Sequence, residues 1–231
     1  MAVLQIEDVT KAFGGELFDA DFNPQFTAPD SAGYKALAFE LELLEAGLVD
    51  PAATGLRDSQ INENYFARGQ TSIMISGEPG RLGMMNDAAQ SEVAGQVEAI
   101  LVATESGQTR SFGLLEALAV PRASQNQEAA IEFVKWFTSE EWQIENYNTG
   151  VLPTRTSALS ALNEQDKLHS GDALVEESKY VEALFPMGTP TWYPEFSTAV
   201  NTNINSAAKG EITIDQAVAN IASAVEEAKQ Q

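Results

Sequence analysis

The sequence predicts an α/β fold that gives way to helices in its carboxy-terminal part, and three observations lead there. Apolar runs of strand character, Thr71 to Ser76, Val97 to Ala103 and Leu114 to Val120, alternate with segments whose apolar residues recur every three or four positions. Strands interleaved with helices are the pattern of that class. After Leu159 the strand-like runs stop and only helical periods follow. With 231 residues and 44% hydrophobic content, the chain is long and apolar enough to bury a core.

In chain order, Ile6 to Phe13 reads as the end of a helix that Gly14-Gly15 breaks, ahead of a turn-rich segment through Pro29. Asp30 or Ser31 caps the next helix, whose Tyr34, Leu37, Leu41 and Leu44 line one face and which Gly47 ends. A shorter helix carries Ile61, Tyr65 and Phe66; Gly69 breaks it and leads into the Thr71 to Ser76 strand. Gly77-Glu78-Pro79-Gly80 is a loop, followed by a helix near Leu82 to Gln90 and the Val97 to Ala103 strand.

Leu114 to Val120 is an almost unbroken apolar run closed by Pro121, which suits a strand buried on both faces. Asn126 then caps a helix with Glu128 in its first turn and Ala130, Phe133, Val134 and Phe137 along one face. Thr138 and Glu141 form a capping-box pattern that opens a second helix through Trp142 and Tyr147, with Gly150 placed to end it. Asp172 to Leu184 is helical, Pro186 to Pro190 is a loop, and a helix from about Glu195 to Lys209 leads to Gly210. The last helix has the clearest signal: Thr213 and Gln216 make a capping box, and Ile214, Val218, Ile221, Val225 and Ala228 keep helical period.

Thirteen Lys and Arg against 34 Asp and Glu give a formal charge of −21 and a pI near 4.2. Such a surface repels nucleic acid and anionic membrane, so binding dominated by phosphate contacts is not expected. With no cysteine there is no disulfide, thiolate metal site or cysteine nucleophile, and His169 is the only histidine, so no His-based metal cluster forms. No Gly-x-Ser-x-Gly elbow, phosphate loop or dinucleotide fingerprint occurs, so neither an enzyme nor a cofactor is expected. Adjacent acids such as Glu140 and Glu141 are explained by the helix macrodipole rather than by acid–base work. Met1 to Ile6 is too short an apolar run for a signal peptide.

Several stretches together resemble one family. The Leu114 to Val120 run ending in Pro, then "NQEAAIEFVKWFTSEEWQ", then "NTGVLPTRTSAL", is similar to the carbohydrate-type solute-binding proteins of ABC importers, the maltose-binding-like group. "FGGELFDADFNPQFTAPDSAGYKALAFELELLEAGLVDP" and "YFARGQTSIMISG" resemble that family's central region in the same order. The resemblance implies an incomplete periplasmic-binding-protein-like fold (class II), the carboxy-terminal portion of such a protein without its amino-terminal region. It implies that residues 1–105 belong to one lobe, that 106–155 visit the other, and that 156–231 return as helices on the first. It also implies a periplasmic or extracellular location for the parent protein, an ABC permease as partner, and self-association through core surface left exposed.

By the same resemblance, the ligand is a small molecule, a sugar or oligosaccharide. A sugar site wants aromatic platforms beside carboxylates, amides and Arg, because a sugar ring offers an apolar C–H face edged by hydroxyls. Trp192, Tyr193, Glu195 and Phe196 cluster in one short stretch that matches a ligand-aromatic region of the family, and Tyr193 or Trp192 is the expected stacking residue. On composition alone these aromatics are core. Where the family often has Trp after Gly, this chain has Gly77-Glu78-Pro79-Gly80-Arg81, which offers Glu78 and Arg81 to grip hydroxyls or to pair with each other. Phe112 and Gly113 are further ligand candidates, with ordinary strand geometry as the alternative. Two other classes stand beside this one: a structural or interaction fragment that binds no ligand, and a glycoside-acting hydrolase.

Overall fold

The computed structural model describes residues 9–50, 65–74, 81–101, 111–112, 117–147, 152–183, 185 and 188–230. The chain divides into two compact units: the first comprises Met1–Gly77, Val102–Gly113 and Val181–Gln231, the second Glu78–Leu101 and Leu114–Tyr180. Residues 156–180 fall in the same unit as 114–155, and the first unit resumes at residue 181.

The first unit holds a helical turn at 9–12, α1 (Ala32–Glu45), strands β1 (Ser111–Phe112) and β2 (Val181–Glu182), α7 (Tyr193–Ala208) and α8 (Ile214–Ala228). The second holds α2 (Arg81–Met85), α3 (Gln127–Phe137), α4 (Glu140–Glu145), α5 (Thr156–Glu164) and α6 (Gly171–Glu177).

Helices α7 and α8 pack on each other, and α1 packs on both. The turn between α7 and α8 is tight because Gly210, at φ +71°, takes the left-handed conformation that a side chain resists. Every third or fourth residue of α8 faces inward: Ala217, Val218, Ile221 and Val225 are buried against Phe196, Val200 and Ile204 of α7. The expected capping box is present, with Gln216 N–H donating to Thr213 Oγ1 (3.2 Å) and Thr213 N–H donating to Gln216 Oε1 (2.9 Å). Ser31, one of the two caps foreseen for α1, accepts from Tyr34 N–H (3.2 Å). Gly33 lies so close to Phe26 that a Cβ there would stand 2.5 Å from the Phe26 Cβ, which lets α1 press onto the core without a side chain between.

In the second unit α3, α4, α5 and α6 pack in sequence. The α3–α4 junction differs from expectation. Ser139, not Thr138, caps α4, accepting from Trp142 N–H (3.2 Å), while the Thr138 hydroxyl donates back to Val134 O (2.8 Å) and closes α3. A hydroxyl one residue later has the extended backbone (φ −70°, ψ 152°) that a cap requires. Asn126 flanks α3 but makes no side-chain cap bond. Arg155 Nε donates to Thr138 O (2.5 Å), and Gln143 joins the next turn through Arg155 N–H (3.1 Å) and Thr154 Oγ1 (3.1 Å). These bonds hold α5 on α4, with Ala158, Leu159 and Leu162 buried.

The three long strands do not appear among the described residues. Residues 71–74, 97–101 and 117–120 have no ladder; Ile73 and Leu118 are exposed and Ile100 is 83% exposed. A strand persists only with a neighbour to take its N–H and C=O groups, and the one ladder among the described residues is the parallel pair β1–β2, Ser111 opposite Val181 and Phe112 opposite Glu182. Among the described residues these runs have no pairing partner and are irregular. The helix expected over 82–90 stops at Met85, and that expected over 172–184 stops at Glu177 before β2. Residues 75–76, 102–103 and 114–116, with Ile61, Gly150 and the loop at 77–80, lie outside the described residues. No helix of the described residues is long and apolar enough to cross a membrane.

Candidate functional site

The aromatic stretch before α7 is the best-built candidate. Trp192 occupies the N-cap position, Tyr193 opens the helix, Pro194 follows in the first turn, and Glu195 is exposed where the helix macrodipole favours an acid. Pro fits there because its missing N–H would have been unpaired anyway. Trp192 and Tyr193, one residue apart, point to different sides of the helix entrance, about 100° apart by helical geometry.

That divergence separates their environments. Trp192 is 7% exposed and sits among four rings: Phe18 (centroids 5.2 Å apart), Phe22 (5.8 Å), Phe185 (6.0 Å) and Phe196 (6.4 Å), all edge-to-face. It is core. Tyr193 is half-buried at the rim of that cluster, edge-on to Phe185 (5.7 Å) and tilted to Phe196 (6.2 Å). Two rings therefore fix its orientation while part of its surface faces outward.

The wall includes residues that the sequence did not single out. Phe22 takes a left-handed conformation (φ +61°) in the Asp19–Gln25 turn and packs against Phe185 (5.9 Å) and Trp192. Asp19 Oδ1 accepts from Asp21 N–H (2.9 Å) and Asn23 N–H (2.8 Å), Oδ2 accepts from the Asn23 amide (2.9 Å), and Lys229 Nζ donates to Phe22 O (3.3 Å). The Asn23 side chain and backbone N–H, both donating to Asp19, hold its carboxyl below the usual carboxylate range. The legible signal was the Asp-x-Asp-x-Asn-Pro run, a turn former by composition; that the turn would deliver Phe22 to Trp192 was not readable without the fold.

The other expected site residues are not brought to this wall by anything described. Arg81 is half-buried as the first residue of α2 in the second unit. Phe112 contributes its backbone to β1 opposite Glu182. Glu78 and Gly113 lie outside the described residues.

Residues 3–144 match the family model of the bacterial extracellular solute-binding proteins, and the chain belongs to that family. Its fold is that of the periplasmic-binding-protein-like sugar-binding proteins. It superposes on maltose-bound MalE3 of T. maritima with a TM-score of 0.77 at 18% identity, over 97% of this chain and 57% of that one. MalX of Streptococcus pneumoniae in complex with maltopentaose gives 0.77 at 16% identity, over 98% and 59%. The sugar-binding protein MalE of Xanthomonas citri gives 0.74 at 16% identity, over 99% and 57%. The chain thus spans somewhat under three fifths of the length of these structures. No curated protein sequence matches it.

Proposed function

We propose that this chain binds a sugar or oligosaccharide as the solute-binding component of an ABC import system, outside the cytoplasmic membrane, and performs no covalent chemistry. The observation that carries the reading is the half-buried Tyr193, held by Phe185 and Phe196 at the edge of a rigid aromatic wall with the exposed Glu195 two residues on. A tyrosine face excludes water from the C–H face of a sugar ring, and a nearby carboxylate accepts hydroxyl hydrogen bonds. Membership of the family supports the same reading, as do the maltose and maltopentaose held by two of the similar structures.

In this reading Trp192 supports the site from beneath and Tyr193 makes the contact. Glu78, Arg81, Phe112 and Gly113 enter only as further ligand residues that the family resemblance proposes. A sugar stacked on one wall remains half hydrated, so the isolated chain binds weakly. A permease receives the ligand after closure of the protein around it.

Calorimetric titration of the chain with maltose, maltotriose and maltopentaose tests this. Saturable binding that the Tyr193→Ala variant weakens by roughly 5- to 150-fold is expected, the scale of about 1–3 kcal/mol for a large buried side chain. Equal binding by both proteins would make this stretch scaffold.

A further inference from the structure

Among the described residues Phe22, Asp166 and Ser170 have a left-handed backbone without being glycine, and Phe22 (φ +61°) is the bulky one of the three. A large side chain in that region is an outlier, and it persists only where the surroundings hold it. The Asp19–Gln25 turn holds it from several directions. Phe22 N–H donates to Asp19 O (3.0 Å), and the Asp19 carboxylate accepts from the Asp21 and Asn23 N–H groups and from the Gln25 amide (3.3 Å). Lys229 Nζ, at the end of α8, donates to Phe22 O (3.3 Å). The turn itself has no need of a phenyl ring, since Gly or Asn takes the same backbone with less strain.

What the phenylalanine supplies is its ring. It lies 5.8 Å from Trp192 and 5.9 Å from Phe185, and it is half-buried where those two rings are buried. Tyr193 has the same relation to Phe185, at 5.7 Å, and is half-buried too. The wall therefore carries two fixed and partly open rings that share Phe185 as their backing, all within the first unit. Tyr193 brings a hydroxyl beside its aromatic face; Phe22 brings an apolar face alone, which suits the C–H side of a sugar ring.

We propose that Phe22 is a second ligand contact, taking a further unit of a sugar whose first unit stacks on Tyr193, so that the site favours an oligosaccharide over a monosaccharide. This rests on the sugar-binding reading of Tyr193 and deepens it. Asp19 and Lys229 are positioning residues, holding the backbone that presents the ring.

Calorimetric titration with glucose and with maltotriose tests the proposal through the ratio of the two affinities. Phe22→Asn removes the ring and keeps a residue that tolerates the left-handed backbone; Phe22→Leu keeps an apolar side chain and loses the flat face. Wild type is expected to prefer maltotriose. Both variants should lower that preference by roughly 2- to 12-fold, the scale of one aromatic contact, with glucose affinity unchanged, whereas Tyr193→Ala should weaken both sugars. A preference unchanged in the Phe22 variants would overturn the second contact and leave the Tyr193 reading standing, provided Tyr193→Ala still weakens binding. Equal loss of both sugars, or loss of the folded circular dichroism spectrum in both Phe22 variants, would overturn it as well, by making the ring a support of the wall. Absence of saturable binding by wild type, or no effect of Tyr193→Ala, would overturn the reading and this inference with it.

Discussion

The Trp192 indole stands edge-on to the Phe18 ring, centroids 5.2 Å apart at an interplanar angle of 61°. Phe18 precedes the Asp19–Gln25 turn and Trp192 precedes α7, so this contact joins two stretches distant in sequence. Trp192→Ala is accordingly expected to cost about 3–5 kcal/mol, the usual cost of emptying a large aromatic site. Tyr193→Ala, at the rim, should cost well under half of that. Urea unfolding of both variants decides it, and comparable losses would contradict the division into core and rim.

The Thr213–Gln216 capping box closes the start of α8. Thr213→Ala should lower stability by about 1 kcal/mol and speed exchange of the Gln216 amide, whose acceptor is lost. Thr213→Ser, which keeps the oxygen, should restore most of both. An alanine variant as stable as wild type would show that water replaces the cap at no cost.

Glu40 Oε2, on α1, is buried with no hydrogen-bond partner. Burial pushes its carboxyl up to about 7 from an ordinary 4.5. The sign follows from proton counting. Between pH 4.5 and about 7 the folded chain keeps a proton that the unfolded chain has released, so stability falls as pH rises through this window and levels off above it. The total is on the order of 3 kcal/mol. The stability of Glu40→Gln relative to wild type should therefore climb by about that amount from pH 4.5 to 7. A difference that stays flat with pH would remove Glu40 as the cause.

On α3, Phe133 is 52% and Trp136 55% exposed, with their rings 5.8 Å apart. Apolar surface of this kind promotes association. Sedimentation velocity should show a weight-average coefficient that rises with concentration, and the double variant Phe133→Ser, Trp136→Ser should abolish the rise. A wild-type chain that stays monomeric up to the highest soluble concentration would refute the expectation.

Local signals carried α1, α3, α7 and α8. Each rests on bonds between residues three or four apart, and on an apolar period that any helix must bury on one side. The Ser31 cap, the Thr213 box and the turns at Gly47 and Gly210 are of this kind, and their donors and acceptors lie within a few residues. Family membership was legible for a related reason, since the runs around α1 and α3 keep their order and spacing.

Pairing and placement were decided elsewhere. Apolar runs at 71–74, 97–101 and 117–120 have strand composition, yet a strand exists only where a distant segment accepts its hydrogen bonds, and the runs themselves do not say whether one does. Trp192 and Tyr193 are equal candidates as letters; the rings of Phe18, Phe22 and Phe185 bury one and leave the other at the rim. Lys11 and Glu182 stand 171 positions apart in the sequence, and only the fold brings them together. Short-range hydrogen bonding was written in the sequence, whereas burial and ion pairing between distant segments depend on which surfaces the folded chain brings together.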